Sequence, residues 1–375
     1  MILYQSFNKP LFIGLIVSCF IFIMVACQSN DSYKITPISI NDSLEINSND
    51  VFRIYHHVLK TKDGKQDSLL VLVDKNTGRI TYVDKNNEIV KIDTVNSRTF
   101  NNMDDFLIKN DTGFLFLANG VKLVSSDFKM EYSFKSIWEK KDSFFYYMGT
   151  SYPIINDDNS FIEKKGAYLD INIDSNRISY FKNSVLTRIS LEDSIRKNDL
   201  NVFFPISHHN DFYNDLYPLY YYNNDIVVYT FGHWDTVVFI NKNKIDSIEL
   251  PKTFSSLAPP FDIFKIGQII ESKKYYAENT NNTSIILNPN KDKIFLFQTE
   301  KVENYIDEAT GMTMDYLFRP KRLLIYDLKK KAFEKLVFQL PQNSFITREV
   351  FFNGKLYFLR FNDEKIKVIL LETNL

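Results

Sequence analysis

From Ser68 to Val95 the chain reads SLLVLVDKNTGRITYVDKNNEIVKIDTV, three short apolar-alternating runs divided by Asp-Lys-Asn-Thr-Gly and Asp-Lys-Asn-Asn. Such clusters form turns, and the runs between them carry the period of two that strands require. The segment therefore predicts an antiparallel meander. The same order recurs from Phe114 to Phe134, from Ala167 to Leu191 and from Asp225 to Leu250. A fifth copy starts at Lys293, is interrupted, and resumes at Arg322; a sixth starts at Lys355. The copies start about 45 to 68 residues apart, the period of four-stranded propeller blades with variable loops.

Each copy is preceded by a plausible innermost strand: Val51 to Leu59, Met103 to Lys109, Pro153 to Ile162, Leu216 to Tyr222, Ser284 to Asn288 and Phe345 to Phe352. The sixth copy reaches Leu375 after only three strands, and Lys34 to Ile46, before the first copy, can supply the fourth. The expected fold is all-β: a six-bladed β-propeller of four-stranded antiparallel blades, the last closed by an N-terminal strand. Closure removes the unpaired edge that an open sheet would present. A pair of β-sandwiches would also show short strands and polar turns. It is disfavoured because no linker rich in Pro, Gly or Ser interrupts residues 50 to 375 and the repeat continues to the last residue. Ser190 to Arg196, with Ser190 and Asp193 as a loose capping box, is expected to form a helical turn between blades.

The first thirty residues give an address. Lys9 precedes an apolar run from Leu11 to Ala26, shorter than the ~20 residues of a spanning helix but sufficient for a signal-peptide core. Cys27 directly follows Ala26 and precedes Gln-Ser-Asn-Asp, an order that resembles the lipobox of bacterial lipoproteins. That resemblance implies cleavage before Cys27 and acylation of it, palmitate included. The expected organisation is a signal peptide over 1–26, a lipidated tether over 27–33 and a single propeller domain over 34–375. The other cysteine, Cys19, lies in the segment that would be removed, so the mature domain relies on its apolar core rather than on disulfides.

Composition excludes some classes. Lysine and arginine total 45 against 46 aspartate and glutamate, so the chain offers no basic field for nucleic acid. No block of like charge stands out for a membrane surface either. The 33 Phe and 22 Tyr suit pleated faces. Eleven glycines are too few for kelch repeats, and Trp234-Asp235 is a single WD dipeptide without the recurring Gly-His partner. In overall plan the chain resembles the six-bladed propeller lipoproteins of Bacteroidetes envelopes, a family described only as a domain of unknown function. The resemblance covers the lipobox and the six-fold strand text, and it brings no active-site motif.

Motifs for nucleophilic, phosphate-binding and zinc-protease chemistry are missing: there is no Gly-x-Ser-x-Gly, no Gly-x-x-x-x-Gly-Lys and no His-Glu-x-x-His. His56 and His57 fall in an expected strand, where neighbours face opposite sides and cannot share one ion. The stretch Ser207 to Asp215 holds His208, His209 and Asp211 in a presumed loop leading into the fourth blade. It reads either as a source of imidazole and carboxylate ligands or, the preferred reading, as a polar turn-forming loop. No metal and no cofactor are inferred. Tyr217, Tyr220, Tyr221 and Tyr222 follow, then His233 and Trp234 after Gly232 in a turn. Half of the tyrosines should pack between blades, whereas His233 and Trp234 are the better candidates for exposure.

The candidate ligand-binding residues are therefore His208, His209, Asp211, Tyr217, His233 and Trp234. The insertion from Thr299 to Pro320, acidic and holding Met312 and Met314, reads equally as a partner contact over one rim or as a loop without function. The expected function is a lipid-anchored envelope propeller, on the periplasmic face of the outer membrane or the cell surface, that binds a glycan, a peptide or a protein partner. Two other classes fit the same text: a polysaccharide hydrolase or lyase acting at the propeller mouth, and a structural subunit of an envelope assembly.

Overall fold

The computed structural model describes residues 33–46, 53–60, 66–74, 78–94, 103–109, 112–117, 120–124, 130–135, 145–147, 160–167, 181–191, 195–207, 211, 213, 218–223, 226–242, 244–262, 265, 268–303, 319–361 and 368–373. The signal-peptide and lipidation expectations over residues 1–32 lie outside them. Among the described residues the strands form six sheets, nearly all of them antiparallel meanders.

Strands β1 (Lys34–Pro37) and β2 (Asp42–Ile46) come first. The first meander is β3 (Arg53–Lys60), β4 (Gln66–Asp74), β5 (Arg79–Val83) and β6 (Ile89–Thr94). The second is β7 (Met103–Lys109), β8 (Thr112–Leu117), β9 (Gly120–Val124) and β10 (Met130–Lys135). The third is β11 (Phe145–Tyr147), β12 (Ser160–Ala167), β13 (Leu186–Leu191) and β14 (Ile195–Asp199). The fourth is β15 (Leu219–Asn223), β16 (Ile226–Thr230), β17 (Thr236–Asn241) and β18 (Lys244–Glu249). Helix α1 (Ile269–Glu278) leads into the fifth: β19 (Asn281–Leu287), β20 (Lys293–Thr299), β21 (Lys321–Asp327), the short β22 (Ala332–Phe333) and β23 (Leu336–Gln339). The sixth holds β24 (Ser344–Phe352), β25 (Lys355–Phe361) and β26 (Val368–Thr373), with β2 as its outer strand.

The period-2 alternation fixes which neighbour each face meets. On β16, Ile226 and Val228 pack toward the fifth sheet, while Val227 and Tyr229 pack toward the third. On β20, Ile294 and Leu296 face the fourth sheet and Phe295 and Phe297 the sixth. On β25, Leu356 and Phe358 join the fifth sheet, whereas Tyr357 and Leu359 join the first. Middle strands are thus apolar on both faces, and outer strands such as β18 and β6 are mostly exposed. A slip of one residue would exchange the two faces of a strand. Apolar clusters accordingly link the third sheet to the fourth, the fourth to the fifth, the fifth to the sixth and the sixth to the first.

The N-terminal segment divides its work. Asp42–Ile46 pairs antiparallel with Val368–Thr373, as the missing fourth strand requires. Lys34–Pro37 was expected in the same strand but pairs parallel with β23 of the fifth sheet. The break falls where Ile38 turns inward among Phe295, Leu340 and Leu356. The helical turn expected from Ser190 to Arg196 is also corrected: Ser190 and Leu191 end β13, and Ile195 and Arg196 begin β14 as its hairpin partner. Register across that pair, with Ile189 buried, outweighs the local capping signal.

Glu372, 3% exposed on β26, draws the sixth sheet, β2 and the first sheet together. Lys355 Nζ donates to its Oε1 at 2.6 Å, and the Tyr357 hydroxyl and Asn87 Nδ2 donate to its Oε2, each at 2.7 Å. Asn87 Nδ2 also donates to Asp42 Oδ2 at 2.6 Å. Asn87 sits in the β5–β6 turn at φ 62°, a left-handed position that Asn tolerates well. Burial pushes the Glu372 carboxyl up, but Lys355, Tyr357 and Asn87 together outweigh it and hold it below its usual value. Asp42 is held down by Asn87 and by the Ser43 backbone N–H. Burial first, then Glu372, pushes the Tyr357 hydroxyl up.

Both carboxyls bind protons more weakly folded than unfolded, so their contribution is complete above the ordinary carboxylate value near ~4 and is lost as pH falls through the lowered folded values. Thermal unfolding should therefore show a Tm that falls below about pH 4 in the wild type. In Glu372→Ala that acid-sensitive component should shrink, and the neutral-pH stability should fall by about 2–4 kcal/mol because Tyr357 and Asn87 lose their acceptor.

Candidate functional site

In an antiparallel meander the first-to-second and third-to-fourth connections lie at one end, and the second-to-third and sheet-to-sheet connections lie at the other. The two ends differ in the fourth to sixth sheets. At the first end the connections are tight: two residues separate β15 from β16 and β17 from β18, and Asn353-Gly354 joins β24 to β25. At the other end lie 200–218, 231–235, 250–280 and 300–320. Connections of that length in a compact fold are where function is usually carried.

The turn Phe231 to Asp235 joins β16 and β17 at this long-connection end. Asp235 braces it: Oδ1 accepts from the backbone N–H of Ser256 (2.5 Å) and Leu257 (3.1 Å), and Oδ2 accepts from Ser255 Oγ (2.6 Å). Ser256 Oγ donates to the Trp234 carbonyl at 2.8 Å. Beneath it, Asn282 Nδ2 donates to the carbonyls of Phe231 (2.9 Å) and Trp234 (2.8 Å). Gln298 Nε2 donates to Asn282 Oδ1 (2.8 Å) and the Phe254 carbonyl (3.0 Å), and its Oε1 accepts from Arg322 Nε at 2.9 Å. The Arg322 guanidinium lies 4.7 Å from the Phe254 ring centroid, with Glu300 Oε1 at 3.7 Å from Nη1. Burial lowers the Arg322 pKa, against the pull of Glu300. These groups satisfy one another inside the protein, so they position the turn rather than offer themselves to a ligand.

Helix α1 covers the turn. His233, expected at the surface because Gly232 precedes it, is fully buried: its ring lies 4.9 Å from Tyr275, edge to face, and 5.5 Å from Tyr276, nearly parallel. The sequence reading missed α1, and with it the lid over His233. Trp234 is half-buried against Phe231 (5.9 Å) and Tyr229 (6.3 Å). Asp211 is exposed, and His208, His209 and Tyr217 lie outside the described residues. Tyr220 joins the core between the third and fourth sheets and donates its hydroxyl to the Ile162 carbonyl at 3.3 Å. Tyr221 packs on the opposite face, where burial raises its pKa. The base of the insertion is pinned where Glu300 N donates to the Pro320 carbonyl (2.8 Å) and Val302 N to the Ala277 carbonyl of α1 (2.9 Å).

This end leaves several large apolar side chains open among its exposed charged ones. Leu257 is 62% exposed beside the Trp234 turn, and Ile206, Phe203 and Ile270 are exposed on the flanking connections. Among the described residues no three of His, Cys, Asp and Glu stand close enough to hold a metal ion, and no helix is long and apolar enough to cross a membrane.

No family model matches the chain, and no curated protein matches its sequence. A solved member of the DUF4221 family from Bacteroides vulgatus aligns over 89% of this chain and 96% of its own, with a TM-score of 0.64 and 10% identity. The chain is similar to it in fold. At that identity the likeness to the DUF4221 protein speaks for the fold alone. A Bacteroides fragilis protein described as exported aligns over 90% of this chain and 99% of its own at TM-score 0.45 and 10% identity. An oligogalacturonate lyase from Vibrio parahaemolyticus aligns over 90% and 98% at TM-score 0.37 and 8% identity.

Asn282→Ala should cost about 2–3 kcal/mol in denaturant unfolding, because it removes the close donor of the buried Phe231 carbonyl, one of two donors to the Trp234 carbonyl, and the acceptor of one Gln298 N–H. A cost near zero would show that water replaces the amide and that the turn is less dry than its burial implies.

Proposed function

We propose that the chain is a six-bladed β-propeller, held at the cell envelope by lipid on Cys27, that binds a glycan or a protein partner through its long-connection end. The carrying observation is the pairing of exposed Leu257 and half-buried Trp234 with a fully bonded brace made by Asp235 and the buried Ser256, Asn282 and Gln298. Apolar groups presented on a rigid base lose little freedom on binding, and an aromatic ring stacks on a sugar face or a partner side chain. The blade count rests on the six sheets and on the apolar clusters that run from the third sheet through the sixth to the first. The envelope address rests on the apolar run Leu11 to Ala26 followed by Cys27. No catalytic step is assigned to it.

Two measurements test this reading. Metabolic labelling with palmitate should mark the wild type and leave Cys27→Ala unmarked; an unlabelled wild type removes the anchor. A glycan or envelope protein recovered with the solubilised full chain should be lost with Trp234→Ala/Leu257→Asp and kept with Glu88→Gln, an exposed change in a short hairpin of the first sheet. Equal recovery with both variants would move the binding surface elsewhere.

A further inference from the structure

The short-hairpin end of the fourth and fifth sheets carries a feature that packing does not explain. Six non-glycine residues among those described have positive φ. Asn87, Asn343 and Asn353 are the usual solution for such a position, since Asn tolerates the left-handed region. The other three are all lysines: Lys242 at 55°, Lys291 at 58° and Lys331 at 54°. They stand in the β17–β18, β19–β20 and β21–β22 turns, at one end of two adjacent sheets, and all three are exposed. Tight hairpin turns demand positive φ, and here a long cationic side chain fills three such positions where Asn or Gly would be easier.

Charge accumulates around them. The carboxylates in the same hairpins already have lysine partners: Asp246 with Lys244 (2.8 Å), Asp292 with Lys329 (2.8 Å), Asp327 with Lys330 (3.0 Å) and Glu334 with Lys293 (2.7 Å). The tip lysines are therefore a positive excess over a locally neutralised ground. The two sheets form one surface there, since Asp246 on β18 acts electrostatically on Tyr326 of β21 and the core between them is continuous.

The N-terminal segment enters beside this surface. Lys34 N donates to the Lys335 carbonyl at 2.8 Å, and Lys335 Nζ lies 4.8 Å over the Tyr33 ring. Six residue steps separate Tyr33 from Cys27, a reach of about 20 Å at full extension. We infer that this lysine-tipped hairpin end rests on anionic lipid headgroups, a membrane-facing surface that leaves the Trp234 and Leu257 end pointing away from the bilayer. The inference rests on the proposed anchoring at Cys27 for its geometry. A tether of that length keeps the lysines close enough to an anionic surface for attraction within the ~8–10 Å screening distance of physiological salt.

The full chain is reconstituted into vesicles of phosphatidylcholine alone or mixed with phosphatidylglycerol, and lysines are mapped by an amine-reactive, membrane-impermeant label. Lys291 and Lys331 should be protected only with phosphatidylglycerol and deprotected at about 1 M salt, where the screening length is ~3 Å. Lys273, exposed on α1 at the far end, should label equally in every case. In the variant Lys242→Asn/Lys291→Asn/Lys331→Asn, whose Asn residues suit the left-handed turns, the Tm should hold while Lys329 loses its protection. Equal labelling in both vesicle types with an acylated Cys27, read by the mass of the N-terminal peptide, overturns the surface. Protection without acylation keeps the surface and overturns the anchor instead.

Discussion

A carboxylate buried on the last described strand makes the meeting of the sixth and first sheets an electrostatic requirement as well as a hydrophobic one. Glu372 is removed from water, and an isolated buried ion would cost several kcal/mol. Its partners come from β25 and from a turn 285 residues earlier in the chain, with Asp42 of β2 tied to the same asparagine amide. The carboxylate is satisfied only when the first and sixth sheets have met, and the N-terminal strand joins them through the same Asn87 amide. Pairing of β2 with β26 removes an open edge at the same place, so an aggregation-prone surface and an unpaired charge disappear in one event. Contacts of such sequence separation carry a large loop-closure cost and form slowly.

Much of this was legible in the residues because a blade packed on both faces must be written as an unbroken apolar run. LLVLV, IVVYT and KIFLFQT, the texts of β4, β16 and β20, have no polar face to turn outward, which distinguishes a strand stacked between neighbours from one on a two-layer sandwich. Asp42–Ile46 was legible for a different reason: counting strands left one blade short. Lys34–Pro37 was not. Its parallel pairing with β23 depends on where Ile38 finds a cavity between the fifth and sixth sheets, and nothing local to KITP reports that.

The candidate site was legible in outline and misread in detail. Gly232 correctly marked a turn, but exposure of the residue after it was inferred as though nothing lay above. Helix α1 has no N-cap side-chain bond, and its tyrosines Tyr275 and Tyr276 read equally well as strand aromatics, so the lid over His233 left no clear trace. Trp234 stays partly open because the helix covers one side of the turn and the Ser255-Ser256-Leu257 segment supports the other. The residues that make the turn rigid, Asn282 and Gln298, were overlooked for an ordinary reason. Asparagine and glutamine in a strand carry no periodic signal, and their value lies in carbonyls reached across sheets.

The lysine tips expose a general weakness of charge counting along a chain. A near-neutral total concealed them, because Lys242, Lys291 and Lys331 belong to different hairpins and each stands near a carboxylate in sequence. The fold separates what the text interleaves: the carboxylates turn to neighbouring lysines in short ion pairs, and the tip lysines stand exposed at left-handed turn positions. Alternating strands make this division systematic. The first-to-second and third-to-fourth hairpins of a meander fall at one end, so in the fourth and fifth sheets small preferences in turn composition add up to a charged face, while the long connections gather at the opposite end. One topological rule thus gives a single sheet stack two chemically different ends.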